Sequence, residues 1–205
     1  MKTRKLVAVS AGLSRPSSTR LLADRLAESA RRRLAAEGPV EVRVVELRDL
    51  AGDIANAMVT GFPGGALREA IEAVTGADGL IAVTPIFTAS YSGLFKSFFD
   101  VIDNTALAGR PVLIGATGGT ARHSLALDHA LRPMFGYLRA IVVPTGVYAA
   151  SEDWGSGGDA TTEGLSARID QAAGELAALV SGSPVRAEPA EAVVPFEQQL
   201  AALRP

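Results

Sequence analysis

The chain has 205 residues, of which 20 are basic and 22 acidic, so its formal net charge is −2; this near balance offers no basic surface for nucleic acid, and the length favours a single domain. The absence of cysteine excludes disulfides, thiolate catalysis and cysteine-ligated metals, and the two histidines, His123 and His129, leave little for a histidine-based metal site. No run approaches the ~18 apolar residues that span a bilayer, and the apolar stretch after the basic N-terminus favours a first core strand over a signal peptide, so we expect a soluble cytoplasmic protein without membrane partners.

Strand and helix patterns alternate along the first half of the chain. Continuous apolar runs predict buried strands, and leucines and alanines at helical spacing with charges between them predict helices. Gly38 and Pro39 end the first helix, and the alternation in VEVRVVEL (Val40–Leu47) predicts a strand with one partly wet face. A glycine- and proline-rich loop follows at 61–65. The elements predicted in this half are strands at 5–10, 40–47 and 78–84 and helices at 18–37 and 66–75.

The second half continues the same alternation. The elements predicted here are strands at 111–117 and 140–145 and helices at 91–103, 122–139 and 161–180. The segment 183–205 is rich in proline, alanine and glutamate, which predicts a mobile tail after a single domain at 1–182. The helical spacing of Phe196, Leu200 and Leu203 keeps open a short helix that docks on another subunit.

Five strand–helix units predict an α/β fold in which helices cover both faces of a parallel sheet. Units of this size suit a flavodoxin-like, doubly wound, five-stranded sheet with strand order 2-1-3-4-5. Such sheets bind ligands outside the carboxyl ends of their strands, where the strand order reverses. We therefore expect the residues just after Ser10, Thr84 and Thr117 to converge.

The first of these three loops lies in VSAGLSRPSSTRLLADRL (Val9–Leu26) and is rich in hydroxyl side chains. It lacks both the lysine-containing phosphate loop of nucleotide hydrolases and the glycine pattern of dinucleotide folds. What remains are hydroxyls and the amides of a helix N-terminus, which together suit a monophosphate. The alternative is that Ser17 or Ser18 only caps the helix, and the loop alone does not decide between the two.

The second loop lies in TPIFTASYSGLFKSFFD (Thr84–Asp100). The strand is predicted to end at Thr84, after which Pro85 stiffens the turn. Ile86 and Phe87 then supply an apolar wall that suits a flat heteroaromatic ring. The alternative is that Phe87 and Tyr91 are ordinary packing residues.

The third loop, in GATGGTARHS (Gly115–Ser124), contains two adjacent glycines. Without Cβ atoms, Gly118 and Gly119 would let a ring edge approach the backbone, and their amides could bond its polar end. The alternative is a tight strand-to-helix turn.

The two motifs TPIFTASYSGLFKSFFD and ATGGTARHSLALDHALRP resemble those of the NADPH-dependent FMN reductase family, and the likeness extends from Lys5 to about Trp154. SAGLSRPSSTRLLADRL is similar to the branch that partners luciferase-like flavin monooxygenases. The resemblance implies that FMN binds here with its phosphate in the first loop. The residues implied for the phosphate are Ser10, Arg15, Ser17, Ser18 and Thr19. Those implied for the ribityl chain and ring are Pro85, Ile86, Phe87 and Thr88, with Tyr91 and Ser92 nearby, and Thr117, Gly118 and Gly119 against the isoalloxazine.

The resemblance also implies the activity, an NAD(P)H:FMN oxidoreductase that supplies reduced flavin to a two-component monooxygenase. The chemistry then belongs to the cofactor, and we name no catalytic side chain. Two alternatives stay open: a flavin-retaining quinone or azo-compound reductase, and a flavodoxin-like electron carrier or flavin sensor without turnover.

The family further implies homodimers or homotetramers with the flavin site near the subunit boundary. Its sulfonate-linked reductases tend to carry a tyrosine in the motif LDHALRP, at the position of His129, and that aromatic residue accompanies subunit packing and a helix bulge beside the flavin. The alternative for both His123 and His129 is a polar, hydrogen-bonded helix residue.

Overall fold

The most continuous apolar runs of the sequence form the buried centre of one sheet. The computed structural model describes residues 3–154 and 164–182. The strands of this part are β1 (Arg4–Ser10), β2 (Val40–Glu46), β3 (Gly79–Phe87), β4 (Ser90–Tyr91), β5 (Pro111–Thr117), β6 (Ile141–Val142) and β7 (Val147–Ala149). Its α-helices are α1 (Ser18–Leu34), α2 (Ala51–Thr60), α3 (Gly65–Gly76), α4 (Gly93–Asp100), α5 (Arg132–Tyr137) and α6 (Leu165–Gly182).

The sheet is parallel in the order β2-β1-β3-β5, and both β6 and β7 pair with β5 at its far edge. The predicted order 2-1-3-4-5 is therefore correct for the first four positions and wrong in detail for the fifth, which two short strands share. Pro144 interrupts the predicted strand at 140–145 because it has no N–H to donate. The guanidinium of Arg132 instead binds the carbonyls of Val143 and Pro144, at 2.9 and 2.8 Å.

Helices cover both faces of the sheet. Leucines and alanines of α1 and α6 pack on one face, against β1, β3 and β5. The opposite face is covered by α2 to α5, where aromatic rings fill the space. Phe95 and Phe99 have ring centroids 4.9 Å apart, and Phe99 and Phe135 5.0 Å apart, both in edge-to-face geometry.

Two helical segments differ from the prediction. Helix α2 occupies positions 51–60, for which no helix was predicted. Just two of its residues, Ile54 and Ala57, are buried, so its sequence carries little of the apolar spacing that indicates a helix. The predicted helix at 122–139 is broken into a 3₁₀ turn (Ala121–His123), a π-helical turn (Leu127–Leu131) and α5. The N–H of Arg132 reaches back to the Leu127 carbonyl, and the next residue, Pro133, has no N–H with which to restore α-helical pairing.

The predicted tail at 183–205 and the start of the last predicted helix at 161–163 lie outside the described residues. Among the helices of the described ranges, none is both long and apolar enough to cross a membrane.

Close packing of α6 on the sheet generates a stability prediction. A Cβ added at Gly79 in β3 would lie 2.7 Å from Val180 Cγ2 and 3.0 Å from Leu6 Cδ2. Because valine has a stiff side chain, we expect Gly79→Ala to lower the free energy of unfolding by about 1–3 kcal/mol. Gly52→Ala in α2 is the control, since no atom lies within 4 Å of its added Cβ. Urea denaturation of both variants tests this, and equal stabilities would contradict it.

Candidate functional site

Strand pairing brings the three predicted loops to one edge of the sheet. Ser10 lies opposite Val83 of β3, and Pro85 of β3 lies opposite Thr117 of β5. Beyond the last pair of β1, the N–H of Ala11 still donates to the carbonyl of Val83, at 3.0 Å. The chain segments that follow Ser10 and Thr117 therefore start at the same edge of the sheet, on either side of the end of β3.

A buried hydrogen bond joins the first loop to the third. Thr19 Oγ1 and Thr117 Oγ1 lie 2.8 Å apart, and both residues are buried. The two threonines are implied by resemblance as contacts of the phosphate and of the ring. In the structure each hydroxyl is engaged by the other, so the pair fixes the relative positions of the two loops.

Ser17 is the N-cap of α1. Its Oγ accepts the N–H of Arg20 at 3.2 Å, and the first intrahelical bond runs from the N–H of Leu21 to the Ser17 carbonyl. Gly12 permits this arrangement, because a Cβ at that position would lie 2.0 Å from Ser17 Oγ. Ser17 is thus a helix N-cap that accepts the Arg20 amide and keeps its own hydroxyl proton, and anion binding by the loop stays a prediction. Ser18 begins the helix and is exposed, while Ser10 is buried at the end of β1.

Two arginines meet the first loop in different ways. Arg15 has a side chain 73% exposed and pairs with Asp49 at 3.2 Å, a surface ion pair of little energetic weight. Arg48 donates to the carbonyl of Ser14 at 2.7 Å and pairs with Glu46 at 2.7 Å, and so holds the loop backbone. Sequence reasoning missed Arg48, although its place just after β2 puts it beside the end of β1.

The second loop is a hairpin. β3 continues to Phe87, and Phe87 pairs with Ser90 of β4 across a two-residue turn. The predicted strand end at Thr84 is therefore wrong: the chain keeps extended pairing for three more residues. Thr88 and Ala89 form the turn with φ of 49° and 67°, the left-handed geometry that matches the twist of a hairpin. The Phe87 side chain, 48% exposed at the turn, gives the edge its apolar surface.

The base of the hairpin is fixed by hydroxyls. The N–H of Ser92 donates to Thr84 Oγ1 at 3.0 Å, and Ser92 Oγ accepts the N–H of Phe95 at 3.2 Å as the N-cap of α4. Tyr91 lies half-buried with its ring centroid 6.1 Å from that of Phe95. Ser92 thus supports the base of the hairpin, Tyr91 pairs with Ile86 across it, and Phe87 and Thr88 lie at its tip.

The third loop places its two glycines in different surroundings. The N–H of Gly118 donates to the Ala149 carbonyl at 3.1 Å, so the expectation that this amide is open to a ring is wrong. A Cβ at Gly118 would lie 2.0 Å from the Tyr148 hydroxyl, whereas Gly119 is exposed with no atom within 4 Å of an added Cβ. The Tyr148 hydroxyl donates to the Thr120 carbonyl at 2.9 Å. Burial, with the nearby charges of Glu152 and Asp153, raises the pKa of Tyr148, which keeps the hydroxyl a donor.

Tyr148 was missed by sequence reasoning because no strand was predicted at 147–149. His123 and His129 are both exposed, the second in the π-helical turn. That turn agrees with the helix bulge implied by resemblance at this position.

Comparison with known proteins places the chain among flavin reductases. The family model described as NADPH-dependent FMN reductase matches residues 4–155. The chain is 40% identical over 178 residues to an FMN reductase (NADPH) of Pseudomonas aeruginosa, covering 87% of this chain and 93% of that protein. It is also 40% identical over 175 residues to the NADH-dependent FMN reductase SfnF of Pseudomonas fluorescens, covering 85% and 91%.

Solved structures give the same picture. An oxidoreductase from Corynebacterium diphtheriae superposes with a TM-score of 0.83 at 48% identity, covering 89% of this chain and 99% of that one. The apo form of the NADH:FMN oxidoreductase EmoB superposes with a TM-score of 0.73 at 33% identity, covering 88% and 92%.

The capping geometry of Ser17 sharpens a test of the phosphate site. We expect Ser17→Asp with Ser18→Asp to weaken FMN binding at least about tenfold, because two carboxylates would repel the phosphate. Aspartate caps a helix well, so folding should be retained. Riboflavin, which lacks the phosphate, should bind unchanged, and the pair Ser17→Asn with Ser18→Asn supplies an uncharged control of the same size. Fluorescence titration measures all these affinities; unchanged FMN affinity in the aspartate variant would leave the loop a cap only.

Proposed function

Because the chain belongs to the NADPH-dependent FMN reductase family, we propose that it binds FMN at the joined ends of β1, β3 and β5 and releases the reduced flavin to a two-component monooxygenase. The protein is an NAD(P)H-dependent FMN reductase. One relative is named for NADPH and another for NADH, so we propose either nicotinamide as the hydride donor. The observation that carries the proposed site is the hydrogen bond between Thr19 and Thr117. This bond holds the first loop, proposed for the phosphate, next to the third loop, proposed for the flavin ring.

The residues at this edge fit the two ends of FMN. At one end, α1 presents the hydroxyls of Ser17 and Ser18 and the positive end of its dipole, which suit a phosphate dianion without a buried cation. At the other end, Phe87 supplies exposed apolar surface and Gly119 an open backbone, which suit the edge of a flat ring. We therefore assign the phosphate to the first loop and the isoalloxazine to the gap between the hairpin and the third loop.

Bound FMN supplies the acceptor for the nicotinamide hydride. What the chain contributes is position: Thr19 and Thr117 fix the loops, Arg48 holds the Ser14 carbonyl, and Ser92 fixes the hairpin. Holding two reactants in one geometry removes much of the entropic barrier of a bimolecular step. No proton transfer by a side chain is needed for this task.

Delivery of the product is the part of the proposal that needs exchange of flavin with solvent. Ser18, Phe87 and Gly119 are all exposed at the proposed site, so in the described part of the chain nothing covers the ligand edge. An open edge supports a flavin that enters oxidised and leaves reduced.

Steady-state turnover tests the activity and the delivery together. We expect oxidation of NADH or NADPH to depend on added FMN, and a large excess of FMN to become fully reduced under anaerobic conditions. Anaerobic ultrafiltration should then recover the reduced flavin in the protein-free filtrate. Absence of oxidation with either donor, in folded protein that binds FMN, would overturn the activity. Reduced flavin retained with the protein would overturn delivery, and turnover of quinones well above that of FMN would favour a flavin-retaining reductase.

We further propose that two copies of the chain associate through the face formed by α4, the π-helical turn and α5. A surface cavity of about 520 Å³ lies on this face. Its apolar lining includes Tyr91, Phe99, Ile102, Met134, Tyr137 and Leu138. Because Tyr91 belongs to both the hairpin and the cavity, a second copy seated here would lie beside the proposed flavin site, as the family resemblance implies.

Tyr137 offers a direct test of this association. Its side chain is 74% exposed although it is aromatic and lines the cavity. We expect Tyr137→Asp to shift the molar mass measured by light scattering towards that of one chain, since a buried carboxylate opposes association. Val59→Asp, at an exposed apolar residue of α2, is the matched control and should leave the molar mass unchanged. An unaltered mass in Tyr137→Asp would place the interface elsewhere.

A further inference from the structure

Tyr148 packs against the third loop and is almost fully buried. It is the middle residue of β7, pairs with Ala116 of β5 and is 4% exposed. Its ring belongs to the aromatic-rich core, and its hydroxyl reaches the loop from below. Tyr148 is not among the flavin-binding residues that the family resemblance implies.

The loop is held to Tyr148 and its neighbour at two residues, Gly118 and Thr120, which flank Gly119. The N–H of Gly118 donates to the Ala149 carbonyl at 3.1 Å, and the Tyr148 hydroxyl donates to the Thr120 carbonyl at 2.9 Å. Between them, the hydroxyl occupies the space that a Cβ of Gly118 would need, only 2.0 Å away. Gly119, between these two residues, is exposed, with no atom within 4 Å of an added Cβ.

The strand that carries Tyr148 is itself anchored. The Tyr148 carbonyl accepts Arg168 Nη1 of α6 at 2.6 Å, and Arg168 also forms an ion pair with Asp153. Asp153 in turn accepts the N–H of Ala150 at 2.7 Å. A strand of only three residues is thus tied to α6, so the hydroxyl at its centre has a fixed place from which to hold the loop.

We propose that Tyr148 is a positioning residue for flavin binding: through the Thr120 carbonyl and the space beside Gly118, its hydroxyl fixes how Gly119 faces the isoalloxazine. This inference rests on the proposed function, which places the ring at the third loop. It assigns Tyr148 to the ring end of the ligand, in contrast to Ser17 and Ser18 at the phosphate end.

Tyr148→Phe removes the hydroxyl and keeps the ring. Because Thr120 is exposed, its carbonyl can bind water, and we expect the free energy of unfolding to change little. The loop loses its fixed shape, however, so the Kd of FMN and that of riboflavin should both rise about fivefold, the value of one ordinary hydrogen bond. Thr60→Val likewise removes a hydroxyl that donates to a backbone carbonyl, that of Asn56 in α2, and should leave both affinities unchanged.

A double variant separates positioning from general damage. Gly118→Ala alone should weaken flavin binding strongly, because its Cβ overlaps the Tyr148 hydroxyl at 2.0 Å, whereas the nearest ring carbon, Cζ, lies at 3.1 Å. Combining it with Tyr148→Phe removes the closest contact, so the double variant should bind FMN and riboflavin more tightly than Gly118→Ala does. Such rescue is expected only if the two residues act through their contact.

The outcomes distinguish this inference from the function on which it rests. Wild-type protein that binds neither FMN nor riboflavin would overturn the proposed function. Wild-type protein that binds both, with Tyr148→Phe unchanged, would overturn the role of Tyr148 alone. A loss confined to FMN in Tyr148→Phe would also overturn it, since that pattern belongs to the phosphate end, and so would additive losses in the double variant.

Discussion

The parallel pairing of β1, β3 and β5 is the constraint on which the rest of the molecule depends. Three neighbouring strands that run in the same direction must end at the same edge, and most of their residues, including all of β5, are buried. The polar groups of the loops that follow must therefore find partners within a small space. The Thr19–Thr117 hydrogen bond, the Ser92–Thr84 bond and the Tyr148–Thr120 bond all meet this requirement, and each also gives a loop its shape.

This crowding explains why so many hydroxyl residues near the site have internal partners. A hydroxyl both donates and accepts, so one group can satisfy the protein and still offer a proton or a lone pair to a ligand. Ser17 illustrates the point, because it accepts the N–H of Arg20 and retains its own proton. The choice between a helix cap and a phosphate ligand, which the sequence leaves open, is therefore not exclusive. A preformed cap keeps the hydroxyl in place before any anion arrives.

The sequence predicts the centre of the fold better than its margins, for physical reasons that particular residues make clear. β5 at 111–117 could be predicted from an uninterrupted apolar run, because a strand that is buried on both faces needs apolar side chains at nearly every position. Helix α2 was missed because it buries little, and the hairpin was missed because Thr88 and Ala89 adopt a turn that glycine or asparagine ordinarily signals. Of the site, the three loops could be predicted from topology, and so could the nearness of Arg48, which follows β2, to the end of β1. The hydrogen bonds of Arg48 and Tyr148 could not be predicted, because they join residues 34 and 28 positions apart in the chain and leave no local pattern.

The division of the fifth sheet position between β6 and β7 has a consequence for the behaviour of the protein in concentrated solution. A long, regular edge strand exposes a row of unpaired backbone groups on which another chain can form a strand, whereas strands of two and three residues offer too short a template. At the opposite edge, β2 carries the exposed charges of Glu41 and Arg43, which oppose the same event by a different means. The interruption at Pro144 thus shortens this edge and opposes edge-to-edge aggregation. The carbonyls of Val143 and Pro144 accept hydrogen bonds from the guanidinium of Arg132 instead.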